Sequence, residues 1–243
     1  MKKNILLICI TLFLITKGFA QDKKVAVVGF YTDKIINFSD LDIGSEELIA
    51  SVLKLRDNPD FDLTPILEQF HEEFFNTYAK KFPFDLLPEA DVATNAEYIA
   101  FNPKYDKDED ELKRYVVYDG YKYIYEGFAG KDNEIATAKI FSDKADGVMF
   151  VEIHFALQKG FGIGGTATVK MRAFARIALY DKTGKKVFAI SEGENSKKTS
   201  VMVGGIPVMK TEKILPMCES ALQQLMKDLE KRLPKVIKKA DKL

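Results

Sequence analysis

The stretch DGVMFVEIHFALQKG (residues 146–160), followed after a glycine-rich break by TATVKMRAFARIALY (residues 166–180) and then by KVFAISEGE (residues 186–194), decides the fold. In the first segment Met149, Val151, Ile153, Phe155 and Leu157 recur at every second position. In the second, Ala167, Val169, Met171, Ala173, Ala175, Ile177 and Leu179 do the same. Successive side chains of a strand point to opposite faces, so each set lines one apolar face. A turn about Gly162 would set Glu152 opposite Arg172, His154 opposite Lys170 and Ile153 opposite Met171, a register that satisfies both charge and burial. The segment Asp181-Lys-Thr-Gly-Lys185 suits a type I turn closed by a left-handed glycine in a bulged hairpin. It would place Leu179 opposite Val187, Ile177 opposite Ala189 and Arg172 opposite Glu194. The expectation is a three-stranded antiparallel meander with an apolar odd-numbered face.

The flanking chain supplies a partner strand and helices. Residues 24–30 carry the continuous apolar run Val25-Ala-Val-Val28, as in a strand covered on both faces. Ser45, ahead of Glu46 and Glu47, reads as the cap of a helix to about Arg56. Thr64-Pro65 restarts helix, with Thr as cap and Pro where its missing N–H costs nothing. Ile66, Phe70, Phe74 and Tyr78, beside Leu67, Phe75 and Phe82, form an aromatic stripe for the core. Residues 84–87 read as a short strand, Asp91 as the cap of a short helix to Phe101, and Asp132 or Asn133 as the cap of a helix to Ala145 with Ile135, Ala138 or Lys139, and Phe141 to Ala145 inward. From about Leu215 a last helix presents Cys218, Ala221, Leu222, Leu225, Leu229 and Leu233 as one stripe, to roof the meander's odd face, and Pro234 would end or kink it before a basic tail. The fold class is therefore α/β in the α+β sense: a mixed sheet with a C-terminal meander, helices packed on it and a long C-terminal helix.

At 243 residues and 47% hydrophobic content the chain suffices for one good core. Residues 1–20 have a leader's form: Lys2 and Lys3, an apolar run from Ile5 to Ile15 broken by Thr11, and small residues at Gly18 and Ala20. Cleavage near Ala20 would leave residues 21–243 as one domain, periplasmic or secreted. The residue directly after the cleavage point is Gln21 and not a cysteine, so the expectation is an unlipidated protein. Of the 36 basic residues Lys2, Lys3 and Lys17 depart with the leader, leaving 33 against 36 acidic ones and no charge footprint for nucleic acid. Cys218 is then alone, so no internal disulfide can form.

The chemistry-bearing residues do not assemble into a known catalytic pattern. His71 has Phe75 where a zinc protease helix needs a second histidine, and His154 shares a strand face with Glu152 alone. Asp106 to Glu111 opens like a calcium loop but has Glu111 at the glycine position and Val117 at the closing glutamate position. The glycines at 160, 162, 164 and 165 lead from strand to strand, so they do not form a phosphate loop. No metal, cofactor or catalytic residue is expected. An enzymatic reading would recruit Glu152, His154, Lys170 and Arg172, a set more simply read as cross-strand ion pairs.

Two surfaces remain for binding. Phe161 and Ile163 sit at a hairpin tip where polar residues are usual, and Val201, Met202, Val203 and Ile206 form a second apolar loop at the same end of the sheet; together they suggest a patch for a partner protein or a peripheral membrane contact. Tyr121, Tyr123 and Tyr125, alternating within the cluster that begins at Tyr115, could present a stacking platform for a glycan.

Lys24-Val-Ala-Val-Val-Gly-Phe30, Ala145-Asp-Gly-Val-Met-Phe-Val151 and Ile177-Ala-Leu-Tyr-Asp-Lys-Thr-Gly-Lys185 resemble the periplasmic α/β domain of TolB N-terminal, LpoB and CsgG-like proteins. Phe84-Asp-Leu-Leu-Pro-Glu-Ala-Asp91 and Asp119-Gly-Tyr121 resemble secreted proteins of Bacteroidetes-type bacteria. The resemblance implies a non-enzymatic role in envelope assembly, with an envelope protein or a secretion component as partner. A lipid- or glycan-binding protein using residues 115–125 or an apolar pocket is the alternative.

Overall fold

The computed structural model describes residues 23–38, 41, 55, 57–104, 113–163, 166–203, 206–207 and 211–243. The expected helix over 45–56 and the calcium-like run at 106–111 lie essentially outside them. In chain order the elements are β1 (Lys24–Asp33), α1 (Thr64–Glu73), β2 (Asp85–Leu86), α2 (Glu89–Ala93), α3 (Ala96–Ala100), β3 (Tyr115–Val117), α4 (Lys131–Phe141), β4 (Gly147–Ile163), β5 (Thr166–Asp181), β6 (Lys186–Val203), β7 (Ile206–Pro207) and α5 (Thr211–Ala240). The strands form one mixed sheet in the order β2-β1-β4-β5-β6-β7, with β3 antiparallel to the far part of β1. β1 runs parallel to β2 and β4, with only the short β2 and β3 outside it, and its apolar run is buried on both faces of the sheet.

The meander forms, and its odd face is the core. Met149, Val151, Ile153, Phe155 and Leu157, with Val169 to Leu179 in alternation, are at most 3% exposed. α5 covers this face with Cys218, Ala221, Leu222, Leu225, Leu229 and Leu233, and α1 adds Ile66, Leu67 and Phe70. The even face is also covered where β4 begins: Val148, Phe150, Ala178 and Tyr180 meet Val92, Tyr98, Ala138 and Phe141 from α2, α3 and α4 in a second core. That end of the sheet is a three-layer sandwich.

Both hairpin registers differ from expectation, for different reasons. Glu152 pairs with Arg176, Ile153 with Ala175 and His154 with Phe174, four positions from the expected partners, because Gly162 is not the turn centre but is itself paired, with Ala167. An even shift preserves every face, so the core pattern is unaffected. In the second hairpin Gly184 has the expected positive φ of 80°. A bulge at Leu179/Tyr180 then sets Leu179 against Phe188, Ile177 against Ile190 and Arg172 against Asn195. This odd shift turns Phe188 and Ile190 inward in place of Val187 and Ala189.

The helices begin and end differently from their sequence signals. α1 has Leu63 at the cap position, and Asp62 Oδ1 accepts the Thr64 amide at 2.9 Å. The expected helix to Phe101 is two short ones, the second capped by Asn95, whose Oδ1 accepts from the Tyr98 amide. α4 begins after Gly130, and Ile135 is 41% exposed instead of inward. α5 runs through Pro234 to Ala240. An interior proline costs roughly 3 kcal/mol, and burial of Val236 and Ala240 on the same stripe offsets it.

Candidate functional site

Beyond Leu157 the meander projects past its neighbours. β1 pairing ends at Thr32 with Ile153, and Asn37 closes the last contact, its amide donating to Phe155 O and its carbonyl accepting from Leu157 N. In the projecting part Ile163, Thr166 and Val203 form one cross-strand row and Thr168 pairs with Val201. Paired residues share a face, and Phe161 lies two residues from Ile163 on the same side. The result is an apolar strip across three strands in which Phe161 is 79% exposed, Ile163 77%, Val203 57% and Val201 42%. The opposite face is filled by Ala167 and Met202, so Met202 belongs to the core and not to this surface. Ile206 pairs with Val203 through its backbone, and its side chain lies outside the described residues. On the strip's own face half-buried Lys170 pairs with Thr199, whereas exposed Lys159 pairs with core-facing Val169, and no carboxylate occurs among residues 157–163, 166–171 and 196–203.

The tyrosines do not form one platform. Residues 121–126 are not a strand, so their alternation is not projected onto one face. The Tyr121 hydroxyl donates to Glu89 at 2.7 Å, inside the ring cluster of Phe30 and His71. Tyr123 stacks on Tyr115 with centroids 4.1 Å apart and is buried, while Tyr125 is 38% exposed. Tyr118 lies flat on His71 at 3.6 Å. An open groove of about 570 Å³ runs past the end of the aromatic helix, walled by Phe75, Phe82 and Phe84 together with Lys24, Lys80 and Asp91.

The four residues of the enzymatic reading are not brought together. Lys170 lies opposite Gln158, while Arg172 lies opposite Ala156 with its guanidinium 4.8 Å from the Phe174 ring centroid. Glu152 and His154 instead join a network that sequence spacing does not reveal. Arg176 pairs with Glu152 at 3.4 Å and also with Glu126; Tyr31 donates to Glu152 and Tyr180 to Glu126. No group of three or more metal-ligating side chains occurs among the described residues. Burial pushes the Cys218 thiol well up, which suits an inert core residue.

His154 supplies a pH signature. Burial pulls its imidazole down, but the Glu152 hydrogen bond and charge and the Asp33 charge outweigh this and hold it above the ordinary 6.5. A histidine whose folded pKa is raised adds stability that is fully present below 6.5 and is lost as pH rises through the folded value. The stability difference between the protein and His154→Gln should therefore shrink as pH is raised across that window. A difference that is flat with pH, measured by urea unfolding, would rule out the Glu152 pairing.

No family model matches the chain, and no curated protein matches it. Several solved structures resemble it at low identity, three of which follow. One is described as a neuraminyllactose-binding hemagglutinin homolog from Helicobacter pylori, 9% identical with a TM-score of 0.38, covering 91% of each chain. A second is the lipoprotein GNA1162 from Neisseria meningitidis, 12% identical with a TM-score of 0.31 over 88% of this chain and 99% of that one. The third is the hypothetical protein CT253 from Chlamydia trachomatis, 10% identical with a TM-score of 0.34 over 89% of this chain and 98% of that one. The descriptions of these three name no TolB, LpoB or CsgG protein.

Proposed function

We propose that this chain is a non-catalytic docking module of the cell envelope whose projecting meander tip is the contact surface for a partner protein. The observation that carries the reading is the single-faced exposure of Phe161, Ile163, Val201 and Val203 on a rigid three-stranded scaffold. Large exposed apolar patches on folded proteins mark contact sites. A flat strip with Thr166 and Thr168 along its middle suits the apolar face of a partner helix or sheet. Lys170 on the strip's face, with no carboxylate nearby in the three strands, favours a partner with an acidic group at its rim.

Because the four side chains are exposed, replacing all of them with serine should leave the thermal midpoint within about 2 °C, as for ordinary surface substitutions. A photo-crosslinking residue at Thr166 should yield a discrete protein adduct in intact cells, and the adduct should disappear in the four-serine variant. A drop of many degrees with the adduct retained would show that the strip is folded against its own chain and would sink the reading. Loss of vesicle flotation in place of an adduct would replace the partner protein with lipid.

A further inference from the structure

At the far end of the sheet from the tip, the turn of the β5–β6 hairpin faces the start of α4 across an open depression of about 580 Å³. Its apolar parts are Phe128, Ile135 and Gly184, and its rim carries Lys131, Lys185 and Lys186. Phe128 is fully exposed. The loop that presents it is nevertheless fixed. Gly127 has a φ of 101° and donates its amide to Glu134 Oε1 at 2.7 Å. The Gly130 amide closes on the Gly127 carbonyl at 3.0 Å. Buried Asn133 holds the approach, its Nδ2 donating to the carbonyls of Tyr125 and Lys104. A phenyl ring standing in water on a loop tied at both ends is the geometry of an anchor.

The charge on the rim is one-sided. The three nearby carboxylates are already engaged: Glu134 by the Gly127 amide, Asp181 by the amides of Thr183 and Lys185 at 2.8 and 3.1 Å, and exposed Asp132 by the Lys104 ammonium. Hydrogen bonding and the nearby Lys185 charge keep the Asp181 carboxyl below the usual range despite its partial burial, so this carboxylate stays ionised and turned to the backbone. Lys131, Lys185 and Lys186 are exposed. A ring of ammonium groups around an apolar floor selects a ligand of the converse pattern.

We infer that this depression binds an extended acidic segment of a partner protein, seating one aliphatic or aromatic side chain against Phe128 and Ile135 while flanking carboxylates meet Lys131, Lys185 and Lys186. The concavity favours a peptide over a bilayer. A flat lipid surface would touch Phe128 and leave the depression walled by Ile135 and Gly184 unfilled. The inference is independent of the tip contact, because the two surfaces lie at opposite ends of β5 and share no residue.

The test uses the full-length protein and two labelled octapeptides, Glu-Asp-Glu-Phe-Glu-Leu-Glu-Asp and its counterpart with every acid replaced by lysine, in fluorescence anisotropy. The acidic peptide should bind and the basic one should not. Phe128→Ser should weaken binding about tenfold without moving the thermal midpoint, and Lys131→Glu combined with Lys185→Glu should abolish it. The four-serine tip variant should bind like the parent. No binding of the acidic peptide, equal binding of both peptides, or an unchanged affinity in Phe128→Ser overturns the inference. So does binding to phosphatidylglycerol vesicles that Phe128→Ser removes while peptide affinity stays the same, which would assign the surface to lipid.

Discussion

Phe30→Ala should cost about 3–5 kcal/mol, the range for deleting a buried phenylalanine, and lower the melting temperature by on the order of 10 °C. Phe30 has no exposed surface and sits where β1, α1 and the 118–121 loop converge. Its ring lies 5.5 Å from Phe70, 5.0 Å from His71, 5.7 Å from Phe74 and 6.0 Å from Tyr118, centroid to centroid. These neighbours come from separate elements that are themselves pinned, Tyr118 by its amide to Phe30 O and His71 by Glu89 at 2.6 Å. They cannot collapse together, so the cavity stays open and the cost falls in the upper part of the range. Urea unfolding with an unchanged m value is the check. A loss below about 1 kcal/mol would mean that the rings close over the vacancy.

Arg176→Leu should be as damaging, for an electrostatic reason. The Glu126 side chain is 3% exposed and that of Glu152 13%, and Arg176 is paired with both. Removing one partner of a buried ion pair leaves an uncompensated charge and typically costs about 3–5 kcal/mol. The neutral hydroxyls of Tyr31 and Tyr180 remain as donors to the two carboxylates but carry no charge. Adding Glu126→Gln to Arg176→Leu should recover much of the loss, because the glutamine keeps the shape and removes the stranded charge. Failure of the double variant to recover stability would show that Arg176 acts by packing its stem and not by its charge.

Much of the fold was legible because burial imposes period. The alternation from Met149 to Leu179 fixed the inner face, and the stripe from Cys218 to Leu233 fixed the helix that covers it. The same logic explains what was missed. A four-residue error at Gly162 is invisible to a two-residue period, whereas the bulge beside Tyr180 changes parity and reverses β6. Ile135 was placed inward by helical spacing, yet it faces the hairpin turn at Gly184, a contact between distant segments. For the tip, glycines beside Phe161 and Ile163 were a local signal of exposure, which holds for Phe161, Ile163, Val201 and Val203, while Met202 is buried. The network of Tyr31, Glu126, Glu152 and Arg176 left no local trace, since its members come from three strands and a loop. Phe128 was also readable in principle, as an aromatic between Gly127 and Gly130.

The position of β1, between β4 and the short β2 and β3, has a bearing on assembly. Its first amide, at Lys24, meets the Asp146 carboxylate across 122 positions of sequence. The strands β4, β5 and β6 pair as sequence neighbours, and few residues separate β6 from α5. Closing the long loop carries the larger entropic cost, so the meander and its helix can gather early and β1 inserts late. A chain made from its N-terminus first exposes its most apolar strand longest. Until β1 arrives, the slot beside β4 is an open sheet edge, and the matching strand of a second molecule can fill it. Crowded synthesis therefore sets two routes in competition, intramolecular insertion and strand exchange between chains.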